Sequence, residues 1–471
     1  MNLSEYTPVV EFKEIIEKYI LVLLGLKDNN LTKFDKIEAK LKDLISFDDG
    51  MIYFIPYKNS DFGYSIKTST RYSDLDLTLV NKVLKKLIKV SYNNYRGTKK
   101  NFRYTSMSQC YSNYKVAVQE AIVNHLTGKD ETEKDGKIVN NTLQKLIDLL
   151  ENWSTKTYEG RRMPFGFVVD LKEESKSMEK VNYLDFLAEE FSATLTDGIT
   201  SVIIIDKNEN IIKYSSLVEN NNFSSCKITN CLPFRFAQII SENIKEDSMR
   251  VGVFLLTCGD IMIVRNSVVE LIKRNGQWSN FSYISFVNAM SRFPNTSDIP
   301  EDLLKEVFAT AIDVSLSHSG GIIAIVKDGE KLFDDQNKKS ILSDCDNLVN
   351  NYPYDELEKK MRNEGEKEKD IKKRIQKRKI LFELLSGKNK VSQIDRKLRC
   401  ELAGLDGATI IDKNGNIVAF GAIIQNDKGS SGGGRGAAAK KLSDYGGLAI
   451  KISTDGYIEV YNDREIKYFI K

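Results

Sequence analysis

The segment that decides the fold of the carboxyl-terminal part of the chain is residues 405–442, which read LDGATIIDKNGNIVAFGAIIQNDKGSSGGGRGAAAKKL. Two short β-type runs, residues 409–412 and 417–422, are separated by a polar turn. A glycine loop at residues 429–436 follows and leads into a helix predicted for residues 437–442. This order is typical of phosphate sites, because glycine lets the backbone approach oxygen atoms and the first N–H groups of a helix face negative charge.

Two charged side chains strengthen the phosphate interpretation. Arg435 offers a planar guanidinium that suits phosphate oxygens. Asp406 precedes Gly407 and Ala408 at the mouth of a strand, where its carboxylate suits a divalent cation that bridges phosphates. The alternative interpretation of the glycine loop is a linker. The alternative for Asp406 is a carboxylate that caps backbone N–H groups in a turn. The loop lacks the Gly-Lys-Ser/Thr of a P-loop, so an ordinary NTPase site is not indicated.

The rest of the third domain surrounds this segment, over residues 298–471. A helix starts at Pro300, and residues 322–326 form a predicted buried strand. A charged insertion interrupts the domain at about residues 333–391, and its residues 355–379 are predicted to be one solvated helix.

Two further domains are predicted before residue 298, which suits a chain of 471 residues at roughly 150 residues per domain. Residues 1–155 are mainly helical by their apolar spacing. Residues 156–297 alternate helical stretches with β-type runs, which indicates a mixed α/β domain. The predicted strands of this domain are residues 165–169, 201–205, 251–256 and 261–264. The fold class is therefore α/β, with a mixed sheet in the last domain.

Composition excludes several functional classes. Hydrophobic residues make up 41% and charged residues 29%, and the longest apolar run is too short to span a bilayer. With no signal-peptide pattern, a cytoplasmic protein without a membrane partner is expected. The six cysteines lack CxxC spacing. Only His125 and His318 are available, which excludes Ser-His-Asp and HExxH hydrolases, and His318 is predicted to cap a helix.

A basic stretch at residues 77–119 carries lysines, arginines and tyrosines but no acidic residue. Basic residues interleaved with aromatic ones suit an anionic or nucleic-acid ligand. The alternative is a basic surface that faces an acidic neighbouring domain. The net charge of +3 does not by itself indicate nucleic acid.

Four segments together resemble the diadenylate cyclase (DAC) domain, in particular the catalytic domain of the DNA-integrity scanning diadenylate cyclases. The Asp-Gly-Ala motif of that family falls on Asp406, Gly407 and Ala408, and its Ser-Glu element starts at Ser453. The four segments are EVFATAIDVSLSHSGGIIAIVK (306–327), ELAGLDGATII (401–411), GGGRGAAAKKLS (432–443) and GLAIKISTDGYIEVY (447–461).

The resemblance implies an enzyme that joins two ATP molecules into cyclic di-AMP, with Mg²⁺ or Mn²⁺ and loss of pyrophosphate, across a face-to-face homodimer. It makes Asp406 and Arg435 catalytic, with Asp406 also the metal ligand. The nucleotide-binding residues that it implies are Leu405, Gly407, Ala408, Gly432, Gly433, Gly434, Gly436 and Ser453.

The chain departs from the family where the family has Arg-His-Arg. Here Arg435, Gly436 and Ala437 stand, so the histidine and the second arginine are missing, and Thr454 replaces the glutamate after the serine. Loss of one transition-state contact can cost orders of magnitude in rate. Three hypotheses follow: a cyclase regulated by amino-terminal sensor domains, a catalytically degenerate nucleotide-binding sensor, and a nucleic-acid-binding protein that uses the basic stretch.

Overall fold

A computed structural model gives the architecture and divides the chain into two compact units, Met1–Ala289 with Ile470–Lys471, and Met290–Phe469. Three domains were expected from the sequence, whereas the first two share one hydrophobic core in the structure. The α/β class is confirmed. The structure describes residues 12–27, 31–34, 43–48, 50–57, 60, 62–68, 72–95, 107–128, 134–158, 160–172, 181–183, 195–217, 232–329, 332, 342–347, 354–363, 365–385, 390–425 and 433–471.

The first unit opens with a short helical segment, a small sheet and three long helices. The helical segment consists of α1 (Phe12–Ile15), a π-helical turn (Ile16–Ile20) and α2 (Leu21–Leu24). The small sheet contains β1 (Thr32–Phe34), β2 (Ile45–Asp48), β3 (Met51–Phe54) and β4 (Gly63–Lys67), in the antiparallel order β1-β4-β3-β2. The long helices are α3 (Asp74–Tyr95), α4 (Met107–Thr127) and α5 (Lys134–Trp153).

The rest of this unit contains a seven-stranded sheet, a separate two-stranded sheet and helices. Its order is β13-β12-β11-β10-β7-β8-β9, and β7 and β8 are its parallel pair. The remaining elements of the unit are β5 (Thr157–Tyr158), β6 (Arg161–Arg162), β7 (Phe165–Asp170), β8 (Ser201–Asp206), β9 (Ile211–Ser216), α6 (Ala237–Asn243), β10 (Arg250–Leu255), β11 (Ile261–Arg265), β12 (Val268–Arg274), β13 (Gln277–Asn280) and α7 (Tyr283–Met290), the last of which ends at the unit boundary.

The second unit is a seven-stranded mixed sheet with helices on both faces. Its sheet order is β15-β17-β16-β14-β18-β19-β20. The elements are α8 (Glu301–Ser317), β14 (Gly321–Val326), β15 (Leu342–Asn347), α9 (Tyr354–Asn363), α10 (Glu368–Leu385), a 3₁₀ turn (Val391–Gln393), α11 (Arg396–Ala403), β16 (Ala408–Asp412), β17 (Ile417–Ile424), α12 (Gly433–Leu442), a second 3₁₀ turn (Ser443–Tyr445), β18 (Leu448–Ile452), β19 (Ile458–Asn462) and β20 (Glu465–Ile470).

Strand alternation assigns the helices to the two faces of this sheet. Ile322 and Ala324 of β14 pack in one apolar cluster with Ala439 of α12. Ile323, which points to the opposite face, lines a small cavity together with Val307 of α8. Helix α12 therefore covers one face, and α8 with α11 covers the other.

The structure differs from the sequence predictions in three places. Residues 32–67 contain the small antiparallel sheet, which the sequence analysis did not predict, although most described residues of the region 1–155 are helical, as predicted. The charged insertion contains β15 and two helices rather than one helix, because Gly365 turns with φ +80°. The apolar residues Met361, Ile371 and Ile375 then bury one another between α9 and α10. His318 is the C-cap residue of α8, as predicted.

Candidate functional site

Three adjacent strands bring their loops to one edge of the second-unit sheet. Strand β14 runs parallel to β16 with Ile322 opposite Ala408, and antiparallel to β18 with Gly321 opposite Ile452. The starts of β14 and β16 and the end of β18 therefore meet at the same edge. Strand β17 ends at this edge too, since Ala408 pairs with Ala422. We call this edge, with the first turn of α12, the glycine edge.

Asp406 lies at the glycine edge with an exposed side chain, immediately before the fully buried Ala408. Gly407 makes the turn into β16 with φ +105°, and a Cβ atom there would lie 2.4 Å from the carbonyl carbon of Gly421. Only glycine fits this close approach of two backbones. Among the described residues the Asp406 carboxylate has no hydrogen-bond or ion-pair partner, so the capping alternative finds no support there. Leu405 is 44% exposed beside it.

The glycine loop continues as the first turn of α12. The helix begins at Gly433 and not at Ala437 as predicted, so Gly433, Gly434, Arg435 and Gly436 supply its first N–H groups. Cβ atoms at Gly433 and Gly434 would meet nothing within 4 Å, and the first turn contains no acidic residue. The first turn of a helix leaves its N–H groups without intrahelical acceptors, which favours an anion. Gly432 lies outside the described residues.

Arg435 connects this turn to the strand loops. Its Nη1 atom lies 2.6 Å from the position of a Cβ atom on Gly320, and the Cγ2 atom of Thr454 lies 3.2 Å from the same position. Gly320 has φ +69°, so its conformation also favours glycine. The guanidinium, which is half-buried, has no carboxylate partner in the part of the chain that the structure describes. The glycine edge therefore contains a guanidinium that forms no ion pair with the described residues.

Ser453 follows β18 at the same edge and has a structural contact. Its Oγ atom accepts a hydrogen bond from the Tyr457 N–H at 3.1 Å, and its own N–H donates to the Tyr457 carbonyl at 2.8 Å. These bonds close the turn between β18 and β19. The hydroxyl proton of Ser453 has no acceptor among the described residues, so a ligand could accept it.

A polar cluster that the sequence analysis missed lies beside Gly436. Lys451 Nζ and Tyr461 Oη each lie 2.9 Å from Glu459 Oε2. A Cβ atom at Gly436 would lie 3.7 Å from Tyr461 Oη and 3.9 Å from Lys451 Nζ. Burial and the adjacent Glu459 carboxylate raise the pKa of the Tyr461 phenol, which therefore keeps its proton. The alternation of Ala449 and Lys451 on one face of β18 was the signal for this cluster.

A divalent cation at the glycine edge would be held through the carboxylate of Asp406. Asp406 offers a free hard oxygen ligand, and Mg²⁺ or Mn²⁺ is commonly held by one or two carboxylates together with substrate phosphates. Glu459 is already engaged by Lys451 and Tyr461. Asp406 is therefore a carboxylate at this edge that could hold the metal.

The basic stretch of the first unit is partly used in packing. Lys86 pairs with Glu120 at 2.8 Å, and Lys82 donates to the Asn124 carbonyl at 3.4 Å, so both lysines connect α3 to α4. Tyr114 is 1% exposed and cannot stack on a base. Residues 96–106 of the stretch lie outside the described residues.

No helix in the described part of the chain is long and apolar enough to cross a membrane. No protein-family model, no curated protein and no solved structure matches this chain. Function is therefore argued from the residues and geometry of the glycine edge.

Proposed function

We propose that the second unit is a nucleotidyltransferase of the diadenylate cyclase type, which condenses two ATP molecules into cyclic di-AMP. One observation carries the proposal: the Asp406 carboxylate, the Arg435 guanidinium and the glycine first turn of α12 meet at one sheet edge, and neither charged group has a hydrogen-bond or ion-pair partner among the described residues. A carboxylate for metal, a guanidinium for phosphate and helix-terminal N–H groups are the parts that phosphoryl transfer requires.

Each side chain has a distinct role in the proposed reaction. The first-turn N–H groups of α12 and the Arg435 guanidinium hold the triphosphate, so that the α-phosphorus faces the 3′-hydroxyl of the second nucleotide. The ion pair of Lys451 with Glu459 lies beside Gly436 of this turn. Asp406 would hold Mg²⁺ or Mn²⁺, which when bound neutralises phosphate charge and assists ionisation of the 3′-hydroxyl.

The reaction forms one bond from the 3′-oxygen of each ATP to the α-phosphorus of the other. Each step breaks the α–β phosphoanhydride bond and releases pyrophosphate, while the hydroxyl proton passes to solvent. Two such steps close the ring and give one cyclic di-AMP and two pyrophosphates. Since each site holds one nucleotide, ring closure requires two subunits face to face. The amino-terminal unit acts as a sensor that controls this pairing.

A nucleotide sensor without turnover is the second candidate. It is favoured by Gly436 and Ala437, which stand where the DAC family has a histidine and a second arginine, so that the first turn of α12 contains a single cation. In this case the glycine edge binds ATP but stabilises the transition state too weakly for catalysis.

The test is incubation of the full chain with ATP and Mn²⁺ or Mg²⁺, with pyrophosphate and nucleotides followed by mass spectrometry. The cyclase proposal expects cyclic di-AMP from the parent and none from Asp406→Asn. Asp463→Asn, an exposed change in the turn between β19 and β20, is the matched control and keeps full activity. ATP binding without product from the parent would favour the sensor, and absence of both binding and product would overturn both candidates.

A further inference from the structure

The two seven-stranded sheets of the chain follow the same path. In each, two strands pair in parallel, the second of them forms a hairpin with the next strand, and a helix then leads to three consecutive neighbouring strands. The matched strands lie in the order β12-β11-β10-β7-β8-β9 in the first unit and β20-β19-β18-β14-β16-β17 in the second. Strands β13 and β15 extend the two sheets at opposite ends of this common order.

The first strand of the parallel pair has the same register in both sheets. Phe165 of β7 pairs with Leu255 of β10, and Gly321 of β14 pairs with Ile452 of β18. With these two pairs matched, β10 to β12 align with β18 to β20 residue by residue, without an insertion. A shift of one residue would move every side chain to the other face, so equal registers also give equal faces.

The turns between the aligned strands agree in their hydrogen bonds and backbone angles. In residues 256–260 the N–H of the first residue donates to the carbonyl of the fifth at 2.9 Å, and the N–H of the fourth donates to the carbonyl of the first at 2.8 Å. Residues 453–457 repeat both bonds, at 2.8 and 2.9 Å. The next turn has φ +52° and +59° at residues 266–267, and φ +47° and +64° at residues 463–464.

The turn after the parallel pair repeats as well. In residues 206–210 the aspartate carboxylate accepts hydrogen bonds from the N–H groups of the third and fifth residues, and residues 412–416 form the same two bonds. The aspartate of each turn lies opposite the last residue of its parallel neighbour, Asp170 or Val326. Agreement in strand order, register and turns goes beyond what a shared α/β class requires.

The first sheet has an edge that corresponds to the glycine edge, and aromatic side chains fill it. By the matched register Phe254 of β10 stands where β18 has Lys451. Phe236, the N-cap residue of α6, packs on Phe254 with ring centroids 5.9 Å apart, whereas Gly436 lies beside Lys451 in the second unit. A Cβ atom at Gly166 of β7 would lie 3.1 Å from Cδ1 of Phe254. We call this packed edge, formed by the start of β7, the end of β10 and Phe236, the closed edge.

The aspartate at the closed edge is engaged, unlike Asp406. Asp197 and Gly198 precede β8 as Asp406 and Gly407 precede β16, with a longer connection to the strand. The Asp197 carboxylate accepts hydrogen bonds from the N–H groups of residues 199–201, at 2.8, 2.7 and 3.2 Å. It therefore caps its own turn, the role that is typical of aspartate in such turns.

The arginine positions differ in the same sense. Arg435 lies against Gly320, the residue before β14, whereas the residue before β7 is Pro164. Arg235 precedes Phe236 as Arg435 precedes Gly436, but its side chain is exposed, with Cζ 6.0 Å from the ring centroid of the adjacent Phe234. The closed edge thus lacks the glycine approach that brings a guanidinium to the strand loops.

We infer that the first unit contains a second copy of the fold of the second unit, in which aromatic packing has closed the edge that corresponds to the glycine edge. Of the two edges, only the glycine edge takes a nucleotide. The sensing role of the first unit therefore does not use a nucleotide at the closed edge. The duplication is independent of the proposed function, whereas the number of nucleotides per chain rests on it.

A crystal structure of the full chain tests the duplication without reference to any ligand. We expect the strand orders and registers given above, with Phe165 opposite Leu255 and Gly321 opposite Ile452. A different strand order in either sheet, or a register shifted by one residue between them, would overturn the duplication.

Calorimetry with α,β-methylene-ATP and Mn²⁺ tests the closed edge, because this analogue lacks the phosphoanhydride oxygen and releases no pyrophosphate. We expect one nucleotide per chain. Arg435→Gln weakens its binding about tenfold or more, because a charge-assisted hydrogen bond to phosphate is lost. The matched change at the closed edge, Arg235→Gln, leaves both affinity and stoichiometry unchanged.

Two calorimetric results would overturn the assignment of the closed edge. One is two nucleotides per chain, and the other is a loss of affinity in Arg235→Gln equal to that in Arg435→Gln. Absence of nucleotide binding by the parent would count against the proposed function alone, since the crystal structure decides the duplication.

Discussion

The guanidinium of Arg435 lies against the backbone of Gly320, with Nη1 only 2.6 Å from the place that a Cβ atom on Gly320 would occupy. Gly320 precedes β14 and Arg435 lies in the first turn of α12, so this contact joins two segments that are far apart in the sequence. The absence of a side chain at residue 320 is thus what allows the arginine to reach the glycine edge.

The change Gly320→Ala is expected to displace Arg435 and to reduce nucleotide turnover or binding strongly. Alanine would also have to adopt φ +69°, which costs about 1–2 kcal/mol of stability. Urea unfolding followed by circular dichroism measures the stability, and calorimetry with ATP measures the binding. Unchanged ATP affinity in a folded variant would show that Arg435 does not contact the nucleotide.

The change Gly407→Ala is expected to destabilise the second unit more than Gly433→Ala. Both glycines have positive φ, but a Cβ atom at residue 407 would lie 2.4 Å from the Gly421 carbonyl carbon, whereas at residue 433 it would meet nothing within 4 Å. The expected cost is above about 2 kcal/mol at residue 407 and about 1 kcal/mol at residue 433. Equal urea midpoints would contradict the close approach of β16 and β17.

The first unit is expected to lose stability as the pH falls from 6.5 to 4, because protonation of His125 is unfavourable in the folded protein. Burial, together with the charge of Arg265, lowers the pKa of His125 to about 4. Since the unfolded chain protonates this histidine near pH 6.5, the neutral folded form stabilises the protein above that pH and loses this contribution as the pH falls.

The loss at pH 4.5 is expected to be about 2–3 kcal/mol relative to pH 7. Tryptophan fluorescence reports this unfolding, because Trp153 and Trp278 both belong to the first unit. In His125→Gln the loss of stability between pH 7 and pH 4.5 is expected to be smaller by this amount. A variant with the same slope as the parent would show that other groups cause the acid sensitivity.

A buried ion pair joins α8 to α11. The change Asp313→Asn is therefore expected to lower the stability of the second unit strongly. Arg396 binds both carboxylate oxygens of Asp313, at 2.6 and 3.1 Å, and the Asp313 side chain is 1% exposed. Neutralising one partner leaves a buried unpaired charge and costs about 3–5 kcal/mol.

The control is Glu358→Gln, which breaks the exposed pair with Arg362 and should change stability little. Urea unfolding compares the two variants. A loss in Asp313→Asn as small as that in Glu358→Gln would contradict the packing of α8 on α11.

Local patterns in the sequence determined much of the second unit. The apolar run at residues 322–326 and the helical spacing after Pro300 predicted β14 and α8 within a few residues. The turn at residues 413–416 was also predicted, because Asp412 accepts hydrogen bonds from the N–H groups of Asn414 and Asn416 within the same short segment. Such features depend on neighbours in the chain, and the sequence displays them directly.

Register and burial were decided only by the tertiary structure. The parallel pairing of Ile322 with Ala408, which aligns the loops of the glycine edge, joins segments separated by the whole charged insertion. Lys451, Glu459 and Tyr461 have ordinary strand spacing, and their cluster exists because β18 pairs with β19 under α12. The pairing of strands that are far apart in the sequence depends on how much apolar surface the whole fold removes from water. No local sequence pattern specifies that quantity.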